Sequence, residues 1–320
     1  MKAVVLYKQG DLRVERNIVR TPPTGWVSVK VLRAGICGSD LHNFRTGRWI
    51  TGQAVIPGHE LFGVVTAQQS THVFPPGCRV VADSRVWCDE CDACRRQDYQ
   101  LCEKLGFVGE VFDGGFAEQV WLPERNLLRV PDEVPDDIAV LSEPLGVALR
   151  VVRQLNPAEG ASVKVAGGGT IGGLVALLLH RLKGCQIQLA EPNDERYQRL
   201  AAVIPLQPAG RFSYAVEATG ISSVLRQLSE QISAGGKIAL VGIFHDSAGL
   251  DINYWVEKEI SLVGCSVFRD EQREALGVMA GLTRELRQLT APAIPLDDVP
   301  AAYQRLLAGQ SGYLKTVIQP

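Results

Sequence analysis

A glycine-rich turn between a strand and a helix restricts the fold of this chain more than any other feature. The apolar run Ser162 to Ala166 is typical of a buried strand, and the sequence Val-Ala-Gly-Gly-Gly-Thr-Ile-Gly leads from its end into an apolar helical stretch, Ile171 to Leu182. In such a turn the first glycine permits a sharp bend, the second lets the backbone approach a pyrophosphate, and the third allows close helix packing. The free N–H groups of the helix N-terminus then favour phosphate groups. The turn predicts a dinucleotide bound at Gly167, Gly169, Thr170, Ile171 and Gly172.

An acidic residue stands where such a turn needs one for coenzyme choice. Glu191 follows the next apolar run, Ile187 to Ala190, and lies twenty-four positions after Gly167. A carboxylate there can accept hydrogen bonds from both ribose hydroxyls of NAD, and it would repel the 2′-phosphate of NADP. The alternative is a surface glutamate that simply ends a strand. The spacing favours the first interpretation and predicts NAD as the coenzyme.

The pattern of apolar residues divides the chain into two domains. Residues 1–144 contain short β-branched runs separated by glycine and proline, whereas strands and helices alternate from about residue 160. Such alternation predicts a doubly wound parallel sheet of the α/β class. A length of 320 residues also suits two domains better than one. We expect an NAD-binding domain over 145–286 and a β-rich domain formed by 1–144 together with 287–320.

Composition and charge exclude several classes of protein. Hydrophobic residues make up 46% of the chain and charged residues 21%, which is typical of a globular protein rather than a disordered one. A formal net charge of −2 gives no electrostatic basis for nucleic acid or an anionic membrane as the partner. No apolar run reaches the roughly 18 residues of a membrane span, and charge at Lys8 and Asp11 is unlike a signal peptide. We expect a cytoplasmic protein with a small-molecule partner.

Four of the eight cysteines fall within fifteen residues, at Cys88, Cys91, Cys94 and Cys102. Four thiolates at these short spacings can complete a tetrahedral zinc shell without an open position, which is typical of a structural site. The alternative is four buried thiols. The Asp, Glu, Arg and Gln residues that separate the cysteines argue against burial and favour zinc.

A second group of metal-ligand residue types is spread over three segments. Cys37 opens the run Cys-Gly-Ser-Asp-Leu-His, His59 and Glu60 follow Gly58, and Glu143 lies in Ser-Glu-Pro-Leu-Gly. Cysteine, histidine and carboxylate are the ligands of a catalytic zinc that keeps one position for water or substrate. Each piece alone has an ordinary explanation: a small core residue at Cys37, a hydrogen-bonded His59, and a helix-opening carboxylate at Glu143.

Together these motifs resemble the zinc-dependent medium-chain alcohol and polyol dehydrogenases, in particular the sorbitol-dehydrogenase-like branch, over nearly the whole chain. The resemblance implies a GroES-like β-rich catalytic domain, a Rossmann doubly wound coenzyme domain, NAD and two zinc ions per chain. It implies a structural zinc held by Cys88, Cys91, Cys94 and Cys102. It implies a catalytic zinc held by Cys37, His59 and Glu143, with Glu60 able to enter or leave the zinc shell.

The resemblance also implies roles outside the metal ligands. Ser39 and His42 match the family's proton relay, and Asp40 matches the partner of the ligand histidine. Lys315 corresponds to a basic residue close to the coenzyme pyrophosphate, and Arg269 corresponds to a residue of the substrate pocket. The further pocket walls that we expect are Phe44, Trp49, Val108 and Glu110.

The implied activity is oxidation of a secondary alcohol, such as a polyol, a sugar acid or a related hydroxylated metabolite, by hydride transfer to NAD. Zinc would act as a Lewis acid, and Ser39 would take the hydroxyl proton and pass it to His42. Two alternatives stay open: an amino-alcohol dehydrogenase of the threonine type, and a zinc- and NAD-binding regulator that no longer turns over. The resemblance further implies a homodimer or homotetramer formed through the coenzyme domain, with Cys265 near the sheet edge.

The sequence departs from the family's pattern in three places. Cys78 stands where the family usually has an aspartate, and Gln69 stands near a usual glycine. The largest departure is a shortened region around 203–213, where relatives fit a strand and a crossover helix. A crossover there must span roughly 20 Å, which is about the full reach of the six residues Gln207 to Phe212. We predict that the third strand, Val203 to Leu206, is a stub or missing, and that one wall of the adenine pocket is thin.

Overall fold

The computed structural model describes residues 1–21, 23–50, 54–247 and 249–320, and in it the chain divides into two units. Unit 1 comprises Met1–Glu143, Arg273–Ser311 and Lys315–Pro320, and unit 2 comprises Pro144–Gln272 and Gly312–Leu314. The chain therefore returns to unit 1 at Arg273, earlier than the position 287 expected from the sequence. The reason is that the following helical segment belongs to unit 1, where Arg287 forms an ion pair with Asp137 at 2.6 Å.

Strands and helices are distributed over the whole chain. The strands are β1 (Ala3–Lys8), β2 (Asp11–Glu15), β3 (Trp26–Ile36), β4 (Glu60–Val65), β5 (Arg79–Ala82), β6 (Arg85–Val86), β7 (Gly106–Phe107), β8 (Gln119–Pro123), β9 (Leu127–Arg129), β10 (Ser162–Ala166), β11 (Gln186–Ala190), β12 (Tyr214–Glu217), β13 (Lys237–Leu240), β14 (Ser261–Gly264), β15 (Ile294–Pro295) and β16 (Thr316–Gln319). The α-helices are α1 (Gly38–Thr46), α2 (Asp92–Arg95), α3 (Asp136–Ala139), α4 (Ser142–Leu155), α5 (Thr170–Lys183), α6 (Asp194–Ala201), α7 (Ser222–Gln231), α8 (Ile252–Glu257), α9 (Glu271–Met279), α10 (Thr283–Leu289) and α11 (Val299–Leu307). Within the described residues, no helix is long and apolar enough to cross a bilayer.

Unit 1 is built on a mostly antiparallel sheet in the order β15-β16-β3-β4-β5-β9, with β8 also paired to β3. The carboxyl end of β3 meets the first residues of β4 and of β16, because Gly35 pairs with Glu60 and Ile36 pairs with Thr316. A side chain at Gly35 would overlap the Glu60 carboxylate, so this pairing requires glycine there. The topology thus brings the residues that flank these three strand ends to one place.

Unit 2 contains a parallel sheet in the order β11-β10-β12-β13-β14, which confirms the predicted doubly wound fold. The glycine-rich turn connects β10 to α5, whose apolar residues from Gly172 to Leu179 are buried. The segment 203–213 contains neither a strand nor a helix, so the prediction of a missing third strand is also confirmed. In the described part of the chain, β11 is therefore the outer strand at this side of the sheet.

The buried side-chain amide of Gln188 forms hydrogen bonds with the segment that lies where the third strand is missing. The side chain of Gln188, on β11, donates to Ser162 Oγ at 2.9 Å and to the carbonyl oxygen of Arg211 at 3.3 Å. Its amide oxygen accepts the N–H of Gly210 at 3.0 Å. The N–H of Gln207 donates to the carbonyl oxygen of Ile187 at 2.7 Å. These bonds fasten the short connection along the sheet without a helix.

Replacing Gln188 with leucine should lower the free energy of unfolding by about 1–3 kcal/mol, because three hydrogen bonds, to Gly210, Ser162 and Arg211, are lost. Urea denaturation measures this difference. Gln186→Leu is the matched control, since Gln186 is on the same strand but exposed. Equal unfolding free energies for the two variants would show that the hydrogen bonds of Gln188 do not stabilise the connection.

Candidate active site and metal centres

The ends of β3 and β4 bring three metal-ligand side chains together. The ligand atoms of Cys37, His59 and Glu60 all lie within 4.8 Å of one another, and His59 and Glu60 are buried. Cys37 directly follows β3, while His59 precedes β4 and Glu60 begins it. The antiparallel pairing of the two strands, rather than proximity in sequence, forms this cluster. We call it the catalytic cluster.

Asp40 fixes the geometry of two members of the catalytic cluster. It lies in the first turn of α1, where its Oδ2 accepts the N–H of Cys37 at 2.8 Å. Its Oδ1 lies 3.6 Å from Nδ1 of His59. A carboxylate at Nδ1 orients the imidazole and directs Nε2 away from Asp40, which is the usual arrangement behind a metal-binding histidine.

Lys315 forms a buried ion pair with the third member of the cluster. Its Nζ donates to Glu60 Oε1 at 2.6 Å and to the carbonyl oxygen of Ile36 at 3.0 Å. The side chain of Lys315 is 2% exposed and that of Glu60 is inaccessible. Among the described residues, Glu60 Oε2 is buried without a hydrogen-bond partner. A role of Lys315 toward a coenzyme pyrophosphate stays a prediction.

Glu143 is buried beside this cluster but is oriented by a different partner. Its Oε1 accepts the hydroxyl of Ser84 at 2.7 Å, and it is not among the atoms that cluster within 4.8 Å. Burial raises the pKa of Glu143 to about 7, while the charge of His59 lowers it and that of Glu60 raises it. The sequence-based ligand set therefore divides into three residues that the structure brings together and one held next to them.

The electrostatics of the catalytic cluster suit a cation. Burial disfavours the charged form of His59, but Asp40 and Cys37 outweigh it and raise the pKa of His59 well above its usual value. Buried anionic groups without enough positive partners are costly. Sulfur, imidazole and carboxylate are the donor types of zinc, and the unpartnered Oε2 of Glu60 fits this use. The residues present therefore fit a zinc ion.

The residues predicted to relay a proton share one face of α1. Ser39 and His42 are three positions apart on this helix, which places them on neighbouring turns. Ser39 is half-buried and His42 is buried, with its ring 4.8 Å from that of Trp49. The relay itself stays a prediction.

A separate lobe of unit 1 contains the four closely spaced cysteines. The thiols of Cys88, Cys91, Cys94 and Cys102 lie within 4.8 Å of one another, and all four are free of disulfides. The N–H groups of Cys88 and Lys104 each donate to Cys102 Sγ at 3.4 Å. Backbone N–H groups, first that of Glu103, lower the pKa of Cys91 to about 6. This arrangement fits four thiolates around one zinc ion, without an open position.

The lobe has little apolar material of its own. Trp87 stacks on Tyr99, with ring centroids 4.5 Å apart, and the Arg125 guanidinium lies over the Trp87 ring, 4.8 Å from its centroid. Indole Nε1 of Trp87 donates to Asp89 Oδ1 at 2.7 Å. The small apolar cluster otherwise consists of the cysteines, Ala93 and Leu105. A metal is therefore the main element that could fix this lobe.

The glycine-rich turn of unit 2 has the geometry that the sequence indicates. Gly167 adopts a φ of +92°, which favours glycine, and Gly169 caps α5. A side chain at Gly172 would overlap the carbonyl of Gly167. Thr170 and Ile171 form the first turn of α5, and the Thr170 hydroxyl donates to the carbonyl oxygen of Leu314.

Glu191 is joined to this turn by hydrogen bonds. Its Oε2 accepts the N–H of Gly168 at 2.7 Å, and its Oε1 accepts the N–H of Asn193 at 2.8 Å. Arg196 Nη1 lies 3.2 Å from both carboxylate oxygens. The carboxylate is 3% exposed, so its position is well fixed at the end of β11. Its contact with a ribose stays a prediction.

Comparison with known proteins finds dehydrogenases that act on alcohol groups. Residues 23–132 match the alcohol dehydrogenase GroES-like domain. The L-threonine 3-dehydrogenase of Anaeromyxobacter sp. (strain K) is 29% identical over 98% of this chain and 97% of its own length. The 2R,3R-butanediol dehydrogenase of Bacillus subtilis is 29% identical, with a TM-score of 0.89 over 100% of this chain and 99% of that one. An alcohol dehydrogenase from Escherichia coli CFT073, complexed with NADH, is 25% identical with a TM-score of 0.89 over the same shares.

Over nearly its whole length, this chain is similar to zinc-dependent medium-chain alcohol and polyol dehydrogenases. The predicted combination of a GroES-like domain and a Rossmann domain is therefore confirmed.

Residues that the sequence assigns to the substrate pocket of this dehydrogenase differ in exposure. Phe44 packs edge-on against Tyr303 in the core of unit 1, with centroids 5.4 Å apart, and Val108 is fully buried. Trp49 and Glu110 keep exposed surface, and burial raises the pKa of Glu110 to about 7. Arg269 precedes α9 in unit 2, where its N–H donates to Glu271 Oε2 at 2.6 Å and its side chain is 45% exposed. Pocket roles for these residues stay predictions.

Sequence reasoning missed two buried residues of this dehydrogenase. Ser84 holds Glu143, although nothing in its sequence neighbourhood distinguishes it from an ordinary strand-end serine. Glu217 ends β12, and its carboxylate accepts the N–H groups of Thr219 at 2.8 Å and of Gly220 at 3.1 Å. It thereby fixes a turn that packs against Gly167. An acid at the end of an apolar strand was the available signal for Glu217.

Proposed function

We propose that this protein oxidises a secondary alcohol of a polyol, sugar acid or related hydroxylated metabolite, with NAD as hydride acceptor. The observation that carries the proposal is the catalytic cluster, where Cys37, His59 and Glu60 gather at two strand ends. Within the described parts of the chain, Glu60 Oε2 is buried and has no hydrogen-bond partner. Support for the coenzyme comes from the turn at Gly167 and the fixed carboxylate of Glu191. The butanediol dehydrogenase among the similar structures acts on this kind of alcohol group.

The mechanism follows from what each residue can do. Cys37, His59 and a carboxylate would hold the zinc ion, which would supply a Lewis acid for the substrate oxygen, and the turn at Gly167 would hold the NAD that supplies the hydride acceptor. Asp40 keeps the imidazole of His59 oriented, and Lys315 keeps Glu60 in place. Ser39 accepts the substrate's hydroxyl proton and passes it toward His42 on the same helix.

A second candidate is an amino-alcohol dehydrogenase of the threonine type. It is favoured by the similar proteins named L-threonine 3-dehydrogenase, which match this chain nearly end to end. Those proteins are at most 29% identical to this chain, so their substrate-binding residues cannot be assigned position by position to this chain. A third alternative is a regulator that binds zinc and NAD without turnover.

One assay separates these alternatives. NADH formation would be measured with butane-2,3-diol, sorbitol, a sugar acid and L-threonine, each with the unmodified protein and with Ser39→Ala. Turnover with a diol, a polyol or a sugar acid supports the proposal, and turnover restricted to L-threonine supports the second candidate. Zinc and NAD binding without turnover of any of the four would contradict both enzymatic candidates.

The position of Glu191 predicts which coenzyme the protein prefers. The unmodified protein should prefer NAD over NADP by at least about tenfold in kcat/KM, roughly 1.4 kcal/mol, and Glu191→Gln should reduce that preference. Glutamine keeps an acceptor for the N–H of Gly168 but removes the charge that repels a 2′-phosphate. Asp194→Asn is the control, since this nearby acid is exposed. An unchanged preference in Glu191→Gln would remove Glu191 from the coenzyme site.

We also infer self-association through unit 2. The strand β14 is the outer strand at its side of the described sheet, and Leu262 on it is 39% exposed. Helix α8 directly precedes β14 in the sequence, and its residues Ile252 and Val256 are 63% and 72% exposed. Exposed apolar side chains beside an open strand edge are typical of a surface that pairs with a second copy. Light scattering of the purified protein would measure the assembly.

A further inference from the structure

Ser84 lies next to the catalytic cluster, where it contacts Glu143. It lies after β5 and directly before β6, and it is completely buried. Its hydroxyl donates to Glu143 Oε1 at 2.7 Å. Because a hydroxyl has one proton to donate, this bond commits it to Glu143.

The backbone around Ser84 is held from three sides. Asp83 and Arg85, its two neighbours, form a buried ion pair with N···O distances of 2.9 and 2.7 Å. The side-chain amide of Asn126 donates to the carbonyl oxygens of both neighbours, at 2.9 and 2.6 Å. The carbonyl oxygen of Ser84 itself accepts the N–H of Val108 at 2.9 Å. A hydroxyl on so constrained a backbone can fix its acceptor in one orientation.

Glu60 in the catalytic cluster and Glu143 beside it are both buried, and their hydrogen-bond partners differ in charge. Glu60 faces the ammonium group of Lys315, which compensates its negative charge. Glu143 faces the neutral hydroxyl of Ser84, which satisfies one oxygen but adds no positive charge, while His59 and Lys315 act on Glu143 only through space. A divalent cation is attracted more strongly to the carboxylate whose charge is not already neutralised. The pairing thus favours Glu143 over Glu60 as the lasting anionic ligand.

We propose that Ser84 is a positioning residue, which fixes one oxygen of Glu143 so that this carboxylate, rather than Glu60, completes the catalytic zinc site. This inference rests on the proposed function. Loss of a hydrogen-bond partner behind a metal ligand typically weakens metal binding by 10–100-fold. We expect Ser84→Ala to weaken zinc binding at the catalytic cluster by about that factor, and to leave the zinc of the four-cysteine lobe unchanged.

The test measures zinc release from the purified, zinc-loaded protein to a chelator of known affinity. The lobe zinc is an internal reference, because its ligands are separate from those of the catalytic cluster. Ser28→Ala is the matched control: Ser28 is also fully buried in the same unit, and its hydroxyl accepts a hydrogen bond from Thr66 at 2.8 Å. We expect this control to release both zinc ions as the unmodified protein does.

A double-mutant cycle distinguishes positioning from a general effect on the fold. In a Glu143→Ala background, Ser84→Ala should cause no further loss of zinc affinity, because the residue through which it acts is gone. Ser84→Gly is a second variant that removes the hydroxyl, and it should match Ser84→Ala. Additive losses in the cycle would overturn the positioning role.

The failure of this inference can be told from failure of the proposed function. Two zinc ions in the unmodified protein, with unchanged catalytic-site affinity in Ser84→Ala and Ser84→Gly, would overturn the role of Ser84 alone. An unmodified protein that binds zinc only at the four-cysteine lobe would overturn the proposed function and the role of Ser84 with it.

Discussion

Cys37→Ser should abolish alcohol oxidation and reduce the zinc content from two ions per chain to one. We propose the Cys37 thiolate as the sulfur ligand of the catalytic cluster, and a serine hydroxyl is a much poorer zinc ligand. Without the metal, the stabilisation of the developing alkoxide is lost, which is worth several kcal/mol. The expected fall in kcat/KM is at least roughly 10³-fold. Elemental analysis and a steady-state assay on the same preparation measure both effects.

The control for this substitution is Cys265→Ser, which changes a half-buried cysteine outside both cysteine-containing groups. It should keep two zinc ions and full turnover. Binding of NAD should survive in Cys37→Ser, because the glycine-rich turn and Glu191 belong to unit 2. Full activity in Cys37→Ser would mean that the catalytic metal is assigned to the wrong residues.

Cys91→Ser should destabilise the protein while leaving the chemistry of the catalytic cluster in place. One of four thiolates is lost from a lobe whose apolar cluster is small, and metal binding at such sites contributes directly to folding. Structural zinc in small domains contributes on the order of 10 kcal/mol of binding free energy, so losing it should unfold the lobe. Trp87 fluorescence reports this, because Trp87 stacks on Tyr99 within the lobe.

The matched variant is Glu90→Gln, which removes an exposed ion pair with Lys104 on the same lobe and should change stability little. Chelator added to the unmodified protein should reproduce the fluorescence change of Cys91→Ser. An unaltered melting temperature and an unaltered Trp87 signal in Cys91→Ser would show that the lobe folds without its metal.

The features that the sequence predicts well are those whose partners are near in the chain or whose spacing is dictated by geometry. The four lobe cysteines and the turn at Gly167 are of the first kind. The missing third strand is of the second kind, since a short segment cannot span the required distance. Composition and local pattern determine these features because the interactions are local.

Long-range contacts were beyond such reasoning. Ser84 and Glu143 are 59 positions apart, and Lys315 and Glu60 are 255 apart, so only the tertiary fold of unit 1 brings them together. The resemblance placed Lys315 near a coenzyme, but its ion pair with Glu60 could not be derived from either residue's surroundings in the chain. The return of the chain to unit 1 at Arg273 was likewise hidden, because no proline or glycine cluster marks it.

The short connection after α6 has a consequence for how copies of this protein assemble. A sheet with two open edges can add partners at both ends, and a pairing that does not close on itself grows into a filament. Here the N–H of Gln207 donates to the carbonyl oxygen of Ile187 on β11, so this carbonyl is not available to another strand. The neighbouring Pro205 and Pro208 have no N–H that could pair with an incoming strand. We therefore expect any pairing of copies through this sheet to use the β14 edge and to stop at two chains.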